Sequence, residues 1–239
     1  MKITFDSFER FEGQSLFPPF IEAFILDHGL KRVAEIGAGA NPAIPQSFCD
    51  AHGIDYFALD ADAGELQKGG SAKTVVFDMC KSRSAVPHGP FDLIFSRMTA
   101  EHYYDADLAY ENMFHSVVPG GFVAQSFACL FTGPFVVNWL LPEVGSDLLL
   151  RILAPRDRYH EDKFRAYYRR CRGPIPSQLR FFDRIWFQVY EYRAYFGHPY
   201  YKLRLGVLHR LEKIKTEFLV RNPLPYLVSY STVVLRRPE

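Results

Sequence analysis

The chain has 239 residues, 48% of them hydrophobic, with 28 basic against 27 acidic side chains and a net charge of +1. That is enough apolar material for one substantial core, and the near-neutral balance supplies no global pull toward nucleic acid. Cys49, Cys80, Cys129 and Cys171 stand far apart without a C-x-x-C pair, which indicates neither a zinc site nor a small disulfide scaffold and fits a reducing cytoplasm. The start, Met1 to Asp6, lacks the apolar centre of a signal peptide. The most apolar later stretch is broken by Pro134, Asn138, Pro142, Glu143 and Asp147, so no transmembrane helix is expected.

Along the chain, Phe17, Phe20, Ile21, Phe24 and Ile25 recur at helical spacing before Gly29 and predict a helix packed on the opening edge of a sheet. Val33 to Ile36 is an apolar strand that carries Glu35 and runs into Gly37-Ala38-Gly39. With no side chain at either glycine, the backbone can turn sharply and let a ligand approach its N–H groups. A phosphate-cradling G-x-G-x-x-G would need glycine or alanine where this chain has Pro42, and Glu35 beside the turn disfavours a pyrophosphate and favours a cationic ligand. A nicotinamide dehydrogenase is disfavoured on the same grounds.

Two further β-rich runs also end in acids. Tyr56 to Asp60 places a carboxylate where a doubly wound fold binds ribose hydroxyls, and Thr74 to Met79 contains Asp78. Either acid could instead cap a helix or form a turn. A fourth strand, Phe91 to Ser96, precedes Arg97 and the loop to His102. A helix follows from about Asp105, with Ala106, Ala109, Met113 and Val117 apolar. Val118-Pro119-Gly120-Gly121 breaks it and launches the strand Phe122 to Phe127. After an irregular, Pro- and Arg-rich region, Arg184 to Tyr192 has strand composition. An amphipathic helix then carries Leu203, Val207, Leu211, Ile214 and Phe218 on one stripe, and Tyr226 to Leu235 closes the chain as a strand.

The segment from Glu35 to Phe127 resembles the class I S-adenosylmethionine-dependent methyltransferases, whose first motif reads acidic-x-Gly-x-Gly-x-Gly. Here Asn41 replaces the third glycine. The likeness of the carboxyl-terminal third to cell-envelope polysaccharide methyltransferases is looser. The resemblance implies an α/β fold, a Rossmann-like, seven-stranded, mostly parallel sheet with a carboxyl-terminal antiparallel strand pair. It implies a single domain over 1–239 with a lid inserted after the fifth strand at about 128–183. It also implies S-adenosyl-L-methionine as cofactor, held by Glu35, Gly37, Ala38 and Gly39 at the turn, Asp60 and Ala61 at the ribose, Asp78 and Met79 at the adenine, and Ser96 and Arg97 after the fourth strand.

The insertion should decide the acceptor. Arg151 to Arg184 holds ten basic residues against four acids, a net +6 that leaves −5 for the rest. Such a block can bind a diphosphate or carboxylate, lie on an anionic membrane, or simply be a solvated face. Beside it, Phe131, Phe135, Trp139 and Leu140 supply apolar bulk that suits an amphiphilic substrate or a lid folded on the core. His102 is the first candidate general base, because its loop opens at the carboxyl edge of the sheet; a structural or cofactor-contacting Glu101-His102 pair is the competing role. His198 is the second, and Tyr103 and Tyr104 are candidates to line the acceptor pocket. The reading is an O-methyltransferase of a small molecule, sugar or lipid-linked glycan, with no nucleic acid partner. It places the protein in the cytoplasm, with contact at the inner face of the membrane compatible with the insertion. Two alternatives stay open: a lipid or quinone methyltransferase, and an inactive cofactor-binding or assembly module.

Overall fold

The structure is a computed structural model that describes residues 1–13, 15–130, 165–199, 201 and 206–239. In chain order the elements are β1 (Lys2–Ser7), α1 (Phe17–Asp27), β2 (Arg32–Ile36), α2 (Gln46–His52), β3 (Asp55–Asp60), α3 (Ala63–Gly69), β4 (Thr74–Val76) and β5 (Phe91–Arg97). They continue with α4 (Ala106–Ser116), β6 (Val117–Ala128), α5 (Pro176–Arg184), β7 (Gln188–Phe196), α6 (Gly206–Arg221) and β8 (Tyr230–Arg236). Among the described residues the strands form one sheet of eight, ordered β1-β7-β8-β6-β5-β2-β3-β4. β2 to β6 are mutually parallel, and β8 runs antiparallel to both β6 and β7. The expected terminal antiparallel arrangement is therefore present.

The expected seven strands become eight because Lys2–Ser7 pairs in parallel with β7. Its apolar alternation, Ile3 then Phe5, fits a sheet edge, and Phe5 stacks on Phe196 at 5.8 Å between ring centroids. Other boundaries also move. β4 ends at Val76, so Asp78 and Met79 lie in the loop beyond it. The run beginning at Arg184 is not strand until Gln188: α5 holds Arg184, and Trp186 adopts φ 67°. The Val118–Gly121 breaker falls inside an irregular start of β6, where the pairing register with β5 shifts between Phe91 and Leu93. Asp105 caps α4 as its position suggested, its side chain accepting from the Leu108 N–H at 3.1 Å.

Strand alternation sorts the core onto two faces. Val33, Tyr56, Ala58, Leu93 and Phe95 face the side where α1, α2 and α3 pack through Phe17, Ile21, Cys49 and Leu66. Ala34, Ile36, Phe57, Leu59 and Ile94 face the other side, toward α4 and α5. Each fully buried phenylalanine, Phe17, Phe91, Phe95, Phe127 and Phe182 among them, contributes about 1.5–3 kcal/mol. The described part of the expected insertion belongs to this core: Phe181 and Phe182 of α5 pack edge-on against Tyr110 of α4, both at 5.5 Å. Residues 131–164, which hold the rest of the expected lid and part of its basic block, lie outside the described residues.

Where the basic block is described, much of it is engaged internally. Arg170 grips Asp107 with two hydrogen bonds of 2.6 and 2.7 Å, and Arg184 reaches the same carboxylate at 3.2 Å. Arg172 donates to the carbonyls of Tyr168 and Cys171. The apolar stripe on α6 turns outward: Val207, Leu211, Ile214 and Phe218 are exposed, while Thr216 and Leu219 are buried. Leu203 lies outside the described residues. No helix among the described residues is long and apolar enough to cross a membrane.

Asn112, buried on α4, fixes the connection between β4 and β5. Its amide donates to the carbonyls of Met79 (3.0 Å) and Ser82 (2.8 Å), and its oxygen accepts from the Ser84 N–H at 3.0 Å. Asn112→Ala strands these groups, and we expect it to cost about 2–4 kcal/mol in urea denaturation. A loss below about 0.5 kcal/mol would mean that the connection is held by other contacts.

Candidate active site

A cavity of about 590 Å³ opens at the carboxyl edge of the sheet, where β2, β3 and β5 end. The volume lies within the roughly 300–1,000 Å³ of small-molecule sites. Nine of the expected residues line it: Gly37, Asp60, Ala61, Asp78, Met79, Arg97, His102, Tyr103 and Tyr104. Adjacent strands bring them together although they are spread from residue 37 to residue 104.

The floor is the turn after β2. The N–H groups of Gly37 and Ala38 both donate to the Leu59 carbonyl, at 2.8 and 3.1 Å, which folds the chain tightly over the end of β3. Gly37 has φ 71°, and a Cβ there would stand 2.3 Å from Thr99 Oγ1, so both backbone and space demand glycine. Arg97 donates to the carbonyl of Asn41 at 2.8 Å and closes the turn from the β5 side.

Glu35 does not line the cavity. It is buried behind the turn, where it accepts from the Ala43 N–H with both carboxylate oxygens, at 3.1 and 2.9 Å, and from the Tyr56 hydroxyl at 2.7 Å. Its side chain follows the strand alternation to the α2 face, away from the cavity where a cationic ligand was expected to meet it, and ties the turn's far end to β3. Ala38 and Ser96 are buried too, and Ser96 donates to Gln125 inside the sheet at 2.6 Å. Gly39 lies just outside the cavity lining, a Cβ there falling 3.3 Å from Asp60 Oδ2.

Asp60, at the tip of β3, accepts from the Asp62 N–H at 2.9 Å through Oδ1. Burial pushes its carboxyl above the ordinary range despite that bond. Asp78 accepts from the Cys80 N–H at 2.8 Å and from the Tyr104 hydroxyl at 2.9 Å. Desolvation and this bond to Asp78 push the Tyr104 phenol up to about 12. Tyr103 is buried, its hydroxyl 3.3 Å from Gln125 Oε1. His102 stands at the wall with Nδ1 3.0 Å from the Arg165 carbonyl. Just behind it, the Glu101 carbonyl receives the N–H groups of Tyr167 and Tyr168, and burial pushes the Glu101 carboxyl up to about 7.

His198 is not part of this site. It is buried beyond β7, with Nε2 3.6 Å from Glu212 of α6 and its ring edge-on to Tyr201, and burial lowers its pKa. The β7 strand lies three places from β5 in the sheet, which separates His198 from the cavity. The sequence reading missed Phe77, Met98 and Thr99 as lining residues. Met98 carries a left-handed backbone at φ 53°, held by its N–H to the Ser126 carbonyl at 2.8 Å. Nothing in the residue type signals that conformation, whereas Thr99 could have been found from its position opposite the glycine turn.

The strand order, with β2 central, a crossover to β3 and β4 on one side and β5 and β6 on the other, and an antiparallel β8 between β6 and β7, matches known folds. Phosphoethanolamine N-methyltransferase 2 of Haemonchus contortus, solved with S-adenosyl-L-methionine, aligns at a TM-score of 0.55 and 16% identity over 92% of this chain and 53% of that one. A SAM-dependent methyltransferase of Archaeoglobus fulgidus aligns at 0.53 and 12% identity, over 92% and 94%. The chain has the class I methyltransferase fold. Residues 942–1257 of the StiE O-methyltransferase give 0.53 and 11% identity over 92% of this chain and 72% of theirs. The chain spans about half the length of the Haemonchus enzyme. No family model matches the sequence, and none of the curated proteins matches it.

Glu35 yields a pH prediction for this methyltransferase fold. Burial, opposed by the Tyr56 and Ala43 hydrogen bonds, raises its pKa from 4.5 to about 7. The folded state therefore holds more protons than the unfolded chain between those values. The contribution to stability is full below pH 4.5, falls as pH rises to about 7, and is constant above. Relative to Glu35→Gln, wild type should lose about 3 kcal/mol across that window. Urea denaturation at a series of pH values checks this; a pH-independent difference would show an ionised carboxylate throughout.

Proposed function

We propose that this chain is an S-adenosyl-L-methionine-dependent methyltransferase. The observation that carries the reading is the placement of Asp60 and Asp78 on two walls of one cavity whose floor is the Gly37 turn. The donor set fits this cofactor. Carboxylates at the tip of β3 and after β4 accept from hydroxyl and amine groups, while Ile36, Phe77, Met79 and Met98 offer apolar and sulfur surface to a flat ring. Asp60, Asp62 and Asp78 outnumber Arg97 among the lining residues, which suits a cationic ligand and opposes a pyrophosphate. In this assignment Asp60 with Ala61 holds the ribose, Asp78 with Met79 the adenine, and Gly37 the close backbone approach, while Glu35, Ala38, Gly39 and Ser96 shape the turn from behind.

When bound, the cofactor supplies a methyl group already activated by a sulfonium. The chain's work is then orientation and exclusion of water, which can contribute about 7–11 kcal/mol in well-aligned systems. Tyr104 and His102 stand at the cavity wall next to Tyr167, whose ring lies edge-on to Tyr104 at 6.4 Å, and they receive the acceptor. A hydroxyl acceptor would also have to give up its proton to a group of this chain. His102 is the imidazole at the cavity wall that would take the hydroxyl proton, its ring oriented by the Arg165 carbonyl 3.0 Å from Nδ1.

The acceptor class is the finer part of the proposal. O-methylation of a small molecule, sugar or lipid-linked glycan, as in polysaccharide biosynthesis, follows the resemblance of the sequence. One domain with a substrate lid over about 128–183, acting in the cytoplasm at the inner face of the membrane, completes it. StiE is an O-methyltransferase and the Haemonchus enzyme an N-methyltransferase, so both chemistries occur on this fold. Arg165, whose carbonyl meets His102 at the cavity wall and whose guanidinium lies over the Tyr167 ring at 5.2 Å, adds positive charge on that side and favours an anionic acceptor.

Calorimetric titration tests the cofactor assignment. Wild type should bind S-adenosylmethionine and S-adenosylhomocysteine, and Asp60→Ala should weaken both by roughly 10- to 150-fold, the loss of about 1.5–3 kcal/mol of charge-assisted hydrogen bonding. Unchanged affinity in a folded variant sinks the Asp60 role, and no binding by wild type sinks the reading. His102→Ala should keep cofactor affinity and lower turnover by about 10²–10⁴-fold on a hydroxyl acceptor. A fall in cofactor affinity would instead place His102 in the cofactor site.

A further inference from the structure

Among the described residues, the outward stripe of α6 is an apolar feature that the cavity does not use. Val207, Leu211, Ile214 and Phe218 are 74%, 56%, 64% and 58% exposed. Their spacing of four, three and four residues stacks them on one side of the helix. The opposite side seats the helix on the body: Thr216 and Leu219 are buried, and Thr216 Oγ1 lies 2.5 Å from where a Cβ on Gly197 would stand. The turn after the helix exposes Leu224, Tyr226 and Leu227 as well.

The flanks of the stripe are cationic. About 100° per residue puts Arg210, Lys213 and Arg221 along one side and Lys215, which pairs with the half-buried Glu212 at 2.7 Å, on the other, with Glu217 the single acid among the exposed positions. We infer that α6 is a peripheral membrane-docking helix that lays Val207, Leu211, Ile214 and Phe218 into the surface of an anionic bilayer, with Arg210, Lys213, Lys215 and Arg221 at the headgroups. An apolar strip bordered by Lys and Arg is the pattern of a helix lying in the interface plane. At 16 residues it is too short to span, which takes about 20. A second copy fits less well, because two-fold pairing of this face sets the same cations against each other.

Topology links this face to the cavity. β7 ends at Phe196 and β8 begins at Tyr230, and both positions lie at the sheet edge where β5 ends at Arg97. The connection carrying α6 therefore leaves and rejoins the sheet at the edge where the cavity opens. Docking through α6 brings that edge to the bilayer. The inference stands on the helix face and does not require methyl transfer.

Flotation of the full chain with phosphatidylcholine vesicles, with and without 30% phosphatidylglycerol (roughly the anionic share that such binding needs), tests it. The expected result is recovery with the anionic vesicles only, reduced by high salt. Ile214→Glu combined with Phe218→Glu should lower recovery by about tenfold or more, and Arg210→Glu with Lys213→Glu should do the same. Both pairs are exposed, so thermal melts should match wild type. No flotation by wild type, or flotation that the two double variants leave intact, overturns the inference. So does a wild-type dimer by light scattering that Ile214→Glu with Phe218→Glu dissociates, which would assign the face to a second copy.

Discussion

The site depends on one buried carboxylate. Glu35 sits on the central strand of the sheet and takes the Ala43 N–H and the Tyr56 hydroxyl in a region closed to water. Left alone there, an acid would be costly; with two donors it becomes a tie between the end of the turn and the neighbouring strand. The turn between these anchors has little freedom. Its amides at Gly37 and Ala38 are spent on the Leu59 carbonyl, its Asn41 carbonyl is taken by Arg97, and Thr99 fills the space beside Gly37. A turn pinned at this many points gives the cavity a rigid floor that needs no reorganisation.

From that floor the charge distribution follows. Asp60 leaves β3 one strand away, and Asp78 lies in the loop after β4, the next strand out, so the acids stand on successive steps of the same sheet edge. The same acids on helices would need long side chains to converge. Here the roughly 4.8 Å strand spacing does it. Tyr104 reaches back across the cavity to Asp78, which ties the wall made by the loop after β5 to the wall made by the loop after β4. His102 on the same wall meets the carbonyl of Arg165, so that side of the cavity is built from two segments more than 60 residues apart, as the 63-residue separation of His102 and Arg165 shows.

Much of this was legible in the sequence because the parallel strands are short apolar runs set off by glycine, acids or other polar residues. Val33–Ile36, Tyr56–Asp60 and Phe91–Ser96 could be placed within a residue, and Asp60 at the end of the second, with Asp78 after the next strand, located the cavity. Side-chain direction was less legible. Glu35 lies opposite Ala58 and so shares a face with Asp60, but Glu35 is one residue short of its strand's end and stays buried under the turn, whereas Asp60 ends its strand and lines the cavity. His198 failed for a different reason: local aromatic neighbours say nothing about which strand a loop follows. β1 was missed because six residues at a terminus carry weak periodicity until β7 exists to pair with them.

The outward stripe of α6 shows the limit of pattern reading most clearly. Helical spacing of apolar residues ordinarily marks the face that packs inward, and by that rule Val207, Leu211, Ile214 and Phe218 belong in the core. In the structure the inward face is made by Thr216, Leu219 and the partly buried Val220, Glu212 and His209, a more polar set than the one turned to solvent. A helix held by its weaker face leaves its apolar area unused by folding, and contiguous exposed apolar surface of this kind generally marks an interaction site. The basic residues beside it then narrow the partner to something both apolar and anionic. A bilayer surface offers the two together, at the edge of the sheet where an amphiphilic acceptor would have to enter.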